Sequence, residues 1–387
     1  MRYAVGVDLG TTHTGAAVVR TAGPEIFELG TDRAVVPSVV ALADGAPISG
    51  DAAERHALDD PASAAREFKR RLGDPTPFLL SGVPYGAETL MGTLLRDVLA
   101  VVAAEMGGPP HTVALTHPAA YGAYKLDMVR EAARVAGVGE PLLMSEPEAA
   151  AVEYAATRDL AGGAVALVYD LGGGTFDVSL VVRRGAAFEP VGAPGGLERF
   201  GGADVDRAVL GHVRTLHPDV FEHLDSARAE VRRDLARLTW ECRRAKEALS
   251  FDTAATIPLR VGGFAADVRV TRAELEAMVR PRLEDTLAAA ERVLRGAELD
   301  WEGVAAVLLV GGASRMPLVA EWLTRATGRP VAVDAHPKHA VALGAARTAA
   351  AGVPPAVPDP DPAAPGSGTV PWSDVQAALE QLRREER

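Results

Sequence analysis

Two aspartates, Asp8 and Asp170, hold the same place in two copies of one pattern, VGVDLGTTHT at 5–14 and YDLGGGTFDVS at 169–179. Each copy runs from a short β-branched segment through the acid into a glycine turn and returns through threonine. At Gly10, Gly172, Gly173 and Gly174 no Cβ keeps backbone N–H groups away from an anion, and Thr11, Thr12 and Thr175 add hydroxyl donors. A facing pair of such turns suits the phosphates of a nucleotide. Two carboxylates would repel a polyphosphate unless a hard divalent cation stood between them, so Asp8 and Asp170 predict a hydrated Mg²⁺ with ATP. One Asp-Leu-Gly turn alone would be no more than a turn; the second copy, keeping both acid and threonine, is what points to a site.

The elements that must position these turns follow from periodicity. Strand-like runs lie at 3–9, 14–20, 112–118, 166–171 and 177–182, short, β-branched and bounded by glycine or proline. Amphipathic stretches at roughly 86–106, 121–136, 146–157, 227–250 and 272–297 predict helices between them. The strand–helix order repeats in both halves, which predicts an α/β protein with a duplicated core. The 162-residue offset between the copies places a boundary near 159–164, giving lobe I over 1–160 and lobe II over 161–350. Beyond these come a proline-rich linker at 351–371 and a short C-terminal helix at 372–387, opened by Ser373 as N-cap with Gln376 three residues on.

A chain of 387 residues that is 48% hydrophobic can bury more than one core. Its net charge of −12 argues against nucleic acid as a partner, because affinity for a phosphate backbone rests on cationic side chains. Cys242 is the single cysteine and cannot form an internal disulfide, and no apolar run approaches the roughly 18 residues of a membrane span. A cytoplasmic protein with no membrane segment is expected. Only Lys69, Lys125, Lys246 and Lys338 among the 40 basic residues are lysines, so a lysine is here a mildly informative choice over arginine.

VGVDLGTTHT and VYDLGGGTFDVS resemble the two phosphate loops of the 70-kDa heat-shock chaperone ATPase domain, within the actin-like ATPase superfamily. Further segments agree in order: FKRRLG at 68–73, LLMSEPEAAAVEY at 142–154, CRRAKEALS at 242–250 and LVGGASRMP at 309–317. The resemblance spans about residues 3–350. It implies a duplicated actin-like, ribonuclease-H-like α/β fold, with two lobes around a nucleotide cleft, and an ATPase. It implies further that Thr11 and Thr12 contact phosphate, that Lys69 reaches the γ-phosphate and orients the attacking water, and that Glu146 holds a metal-bound water. Asp8 and Asp170 then position the hydrated Mg²⁺, and Thr175 and Asp177 lie beside the γ-phosphate. Gly201, Gly202, Lys246, Ser250, Gly311, Gly312 and Arg315 complete the nucleotide contacts, the last as a stacking face for adenine.

Read without the family, Lys69 lies in a KRR cluster, a pattern more often found on a solvated face. Glu146 precedes Pro147, which predicts extended backbone at Glu146 and an end to the strand there. The chain departs from the family at Arg243, Glu247 and the segment His336, Pro337, Lys338 and His339, which alters the adenosine side. Residues 351–387 show no run of alternating strands, so no peptide-binding domain is recognised, and the relay arginine expected near Pro118 is replaced by Lys125 and Leu126. The function expected is a slow Mg²⁺–ATP hydrolase acting as a chaperone-type switch, read by a nucleotide-exchange factor or a client protein. The alternatives are a self-assembling actin-like scaffold and, third, a small-molecule kinase of the same superfamily. The stretch from GGADVDRAV at 201–209 through a long helix to Ser250 and an expected β-meander to about residue 272 favours the chaperone branch.

Overall fold

The computed structural model describes residues 3–20, 23–30, 34–158, 160–225, 228–333 and 339–352. Most of the linker and all of the C-terminal helix expected from sequence lie outside the described residues, as do His336, Pro337 and Lys338.

Two five-strand ladders with one topology carry the fold. The first comprises β1 (Ala4–Leu9), β2 (His13–Val19), β3 (Pro24–Phe27), β4 (Thr112–His117) and β5 (Leu142–Ser145), in the order β3-β2-β1-β4-β5, with Val35–Pro37 added beside β2. The second comprises β6 (Val165–Leu171), β7 (Phe176–Arg184), β8 (Ala187–Leu197), β9 (Val304–Val310) and β10 (Val331–Val333), in the order β8-β7-β6-β9-β10. In both, the first three strands are antiparallel and the last two join in parallel. The duplication extends to register, for Asp8 pairs with Gly15 across β1–β2 and Asp170 with Asp177 across β6–β7. The second hairpin therefore carries an extra carboxylate where the first has glycine.

The central strands are apolar on both faces because helices cover both sides. Val5, Val7, Leu115, Leu90 and Leu94 belong to a core on the first sheet, and Leu167, Tyr169, Leu309, Leu238 and Leu283 to a core on the second. A third cluster, rich in alanine, includes Ala4, Ala149, Ala166, Ala306 and Ala345. It holds α2 (Glu146–Thr157) and α6 (Ala340–Ala351), which pack on each other, α6 against β1, β2 and β4 and α2 against β6, β7 and β9. Small side chains are what allow two helices to fit between two sheets.

Four more helices matter for the site: α1 (Ala123–Val135), α3 (Gly202–Leu216), α4 (Ala229–Ala248) and α5 (Arg272–Gly296). The segment expected to be a β-meander is a two-strand hairpin, Ala254–Val261 with Phe264–Thr271. Its strands use up the segment between α4 and α5, and the chain reverses tightly at Gly262 and Gly263, both with positive φ.

Candidate functional site

The two duplicated turns are braced differently. Around the first, Ser38 donates its hydroxyl to the Gly10 carbonyl at 2.7 Å and its backbone N–H to the Thr12 carbonyl at 2.9 Å. Around the second, the N–H groups of Gly202 and Ala203, opening α3, donate to the carbonyls of Gly172 and Gly173 at 2.9 and 2.7 Å. The turns meet face to face, since a Cβ on Gly173 would lie 2.1 Å from Thr12 Oγ1. Gly311 closes the same corner: at φ 82° it sits where an added Cβ would fall 2.3 Å from Asp170 Oδ1. No larger residue fits either place.

Between the turns lies a cavity of about 890 Å³, within the range of small-molecule sites. Asp8, Gly10, Thr11 and Thr12 from the first turn line it, together with Asp170, Gly172, Gly173, Thr175 and Asp177 from the second. Gly311 and Gly312 after β9 and the pair Lys69 and Glu146 complete the part of the wall expected from sequence.

Lys69 reaches the cavity from a helical turn, Phe68–Arg71, anchored by the buried Phe68 and entered through Glu67 at φ 54°. Its Nζ donates to Glu146 Oε1 at 2.6 Å, and both side chains are buried. Burial alone would lower the Lys69 ammonium pKa; the Glu146 carboxylate, with Asp8 adding to it, overrides this and raises it, so the lysine stays charged. Glu146 opens α2 and does not lie in an extended run. Ser145 and Glu148 form a capping box there, and Pro147 falls in the first turn, where its missing N–H costs no helical bond. The strand does end at Ser145, as the proline suggested.

The acids are crowded. Burial pushes Asp170 well above the usual carboxylate range, reinforced by the negative charges of Glu146, Asp177 and Asp8. Asp177 is pushed up to about 6, first by burial and then by Glu146, against the stabilising 2.8 Å hydrogen bond it accepts from Thr175. Asp8 accepts from the Thr116 hydroxyl at 3.1 Å. Carboxylates held together against their own repulsion, beside hydroxyls and backbone N–H donors, are a hard oxygen set suited to a divalent cation. Among the described residues no group of three or more His, Cys, Asp or Glu side chains is spaced to hold a bare ion. The Asp8 and Asp170 carboxylates, as hard oxygen donors, fit an ion such as Mg²⁺ that keeps most of its waters as ligands.

Several expected contacts do not reach the cavity wall. Gly174 packs against the Thr11 methyl and Arg70, and Gly201 against Gly174, so both support the second turn. Gly202 does so through its N–H bond to the Gly172 carbonyl. Lys246 is turned to Asp206 at 2.7 Å and the Gly202 carbonyl at 3.3 Å. Ser250 lies in the turn after α4, and the Arg315 guanidinium lies 5.3 Å from the centre of the Phe251 ring, which is 70% exposed. Of the residues departing from the family pattern, Arg243 pairs with Glu54 at 3.0 Å and reaches Glu247 at 3.8 Å.

Sequence reasoning did not place in the site Tyr121 and Lys125, which line the cavity, or Ser38 and Thr116, which brace it. The scarcity of lysine and the departure near Pro118 were signals that marked Lys125 without giving it a place. Ser38 and Thr116 carried none, because a lone hydroxyl in an apolar run is ordinary.

A family model described as "Hsp70 protein" matches residues 4–77 and 79–357. The chain is 30% identical over 350 residues to a chaperone protein DnaK of Metamycoplasma hominis, covering 89% of this chain and 58% of that one. It is 34% identical over 367 residues to a chaperone protein HscA homolog of Burkholderia thailandensis, with the same shares. The chain thus spans 58% of the length of these two curated relatives.

Proposed function

Because the chain belongs to the Hsp70 family of chaperone-type ATPases, we propose that its cavity binds Mg²⁺–ATP and hydrolyses it slowly, and that the bound nucleotide sets a conformation read by another protein. One observation carries this reading: two braced glycine turns with a shared hairpin register meet across a cavity into which a buried Lys69–Glu146 pair projects.

Transfer of a phosphoryl group to water is largely a matter of placing the reactants and neutralising charge. Backbone N–H groups of the two turns and the Thr11 and Thr12 hydroxyls would hold phosphate oxygens. Lys69, kept charged by Glu146, would sit at the terminal phosphate and orient the attacking water. Asp177, hydrogen-bonded to Thr175, would hold that water from the other side, and Glu146 would take or pass on its proton. Mg²⁺, when bound, would offset negative charge on the phosphates, with Asp8 and Asp170 facing its water shell. Gly311 and Gly312 would let the backbone lie against the nucleoside, with Arg315, Lys246 and Ser250 approaching the base and ribose only after moving from their present contacts.

The switch reading is supported by contacts between the halves that flank the cavity. Arg70 donates to the Glu198 carbonyl at 2.9 Å, and Arg243 joins Glu54. Groups that touch across a cleft are those whose spacing a ligand changes on entering it. The partner reading the change would be an exchange factor or a client protein, and the working place the cytoplasm; no described helix is long and apolar enough to cross a membrane.

The test is calorimetric titration of ATP with Mg²⁺ into wild type and Lys69→Ala, then single-turnover hydrolysis on the same samples. Binding by both and hydrolysis by wild type alone is expected. Failure of the wild type to bind ATP would overturn the proposal, and nucleotide-dependent polymers at micromolar concentration would move the chain to the scaffold class.

A further inference from the structure

Arginine is this chain's general-purpose cation, so the positions of its few lysines are informative. Two of the three in described parts of the chain are committed, Lys69 to Glu146 and Lys246 to Asp206. Lys125 is different. It stands in the first turn of α1, lines the cavity, and makes no ion pair among the described residues. Its ammonium rests 5.0 Å from the centre of the Tyr121 ring.

Tyr121 is tied to the catalytic end of the cavity. Its hydroxyl donates to the Lys69 carbonyl at 3.3 Å, and its ring stacks on His117, with centroids 6.3 Å apart and planes within 12°. Burial pushes the Tyr121 phenol up to about 12, so it stays a neutral donor. The positive charge of Lys125 is also felt by Asp177. This ammonium thus stands in the cavity wall beside Tyr121, whose hydroxyl is bonded to the Lys69 carbonyl, and among the described residues it is held by nothing stronger than a ring face. A phosphate oxygen would hold it more strongly, because it offers a charge-assisted hydrogen bond.

We infer that Lys125 is a second cation for the terminal phosphate, leaving the Tyr121 ring to contact the γ-phosphate and so distinguishing a nucleoside triphosphate from a diphosphate. The assignment rests on the reading of the cavity as an ATP site. The stem suits the role: a four-carbon chain carrying a compact charge can swing between two positions, whereas the planar fork of arginine favours one fixed geometry. Because Lys125 belongs to α1, its movement gives that helix a different environment in the two nucleotide states. Lys125 is a binding residue in this account, and Tyr121 a positioning residue that holds it near the site in the absence of a triphosphate.

The experiment measures dissociation constants for ATP and for ADP, both with Mg²⁺, on wild type, Lys125→Met and Lys125→Arg, with a thermal melt on each to confirm folding. Lys125→Met should weaken ATP about tenfold while leaving ADP unchanged, as expected for loss of one charged hydrogen bond, and Lys125→Arg should recover part of the loss. Equal affinities for both nucleotides in wild type and Lys125→Met would overturn the inference, and so would a loss that falls alike on ATP and ADP. If wild type bound neither nucleotide, the reading of the cavity itself would fail first. If wild type bound both, and Lys125→Met kept the wild-type preference between them, only the role of Lys125 would fail.

Discussion

Replacing Asp177 with asparagine should make the nucleotide-free protein more stable at neutral pH. Asp177 faces the cavity, and burial together with Glu146 pushes it from the ordinary 3.8 up to about 6. The folded state therefore binds that proton more tightly than the unfolded chain, and the associated stability is present below pH 3.8 and lost as pH rises through about 6. A rise of this size corresponds to about 3 kcal/mol, and screening by cavity water leaves about 1.5–3 kcal/mol. Asparagine has nearly the same shape and keeps a carbonyl oxygen to accept the Thr175 hydroxyl, so the 2.8 Å hydrogen bond is not at stake. Relief of the charge should raise the melting temperature by about 3–6 °C at pH 8. The assay is thermal denaturation of wild type and Asp177→Asn in EDTA, without nucleotide, across pH 4–8. The gap should be close to nothing at the acid end, open through about pH 6 and stay constant above it. A gap independent of pH, or a variant less stable than wild type at pH 8, would refute the claim that crowded acids strain the empty site. Adding Mg²⁺ with ATP should narrow the gap, since the divalent cation offsets negative charge that the fold without nucleotide finds costly.

Three further outcomes follow from particular contacts. Cys242 is fully buried and its thiol is pushed up to about 12 by burial, with Asp206 adding to it, so thiol reagents should modify it only as fast as the protein unfolds; rapid labelling in native buffer would contradict that environment. Lys246→Met should leave the buried Asp206 carboxylate without its 2.7 Å partner and cost about 3–5 kcal/mol by denaturant titration, whereas Lys246→Met with Asp206→Asn should recover most of it; a Lys246→Met variant as stable as wild type would show the pair to be dispensable. Gly311→Ala should destabilise the fold and abolish ATP binding, because φ 82° is unfavourable for alanine and its methyl would meet Asp170; unaltered calorimetric affinity would mean that the turn moves without cost.

The sequence by itself determined the duplicated architecture and most of the residues of the two turns that line the cavity. Both are local matters: a β-branched run ending in Asp-Leu-Gly and returning through threonine favours a strand, a turn and a returning strand, and its repetition points to a second. The identical registers, Asp8 with Gly15 and Asp170 with Asp177, follow from that local code. The helix over 146–157 was legible as well, although Pro147 pointed to extended backbone at Glu146, where the capping box of Ser145 and Glu148 instead opens α2.

What only the tertiary structure decided concerns groups whose environment comes from distant residues. Nothing local says that Lys69 will be buried against a carboxylate 77 positions away, or that Asp177 will be pushed up to about 6 by burial, with Glu146 adding to it. Nor could spacing along the chain show that Lys246 turns to Asp206, that Arg243 finds Glu54, or that Arg315 rests on Phe251. Long, flexible cations go to whichever acid or ring the fold brings near, and which one that is depends on how separate elements pack. Lys125 shows the limit most clearly, since its chemical type was legible in the sequence, while its place in the cavity wall beside Tyr121 was fixed only when α1 packed next to the turn that carries Lys69.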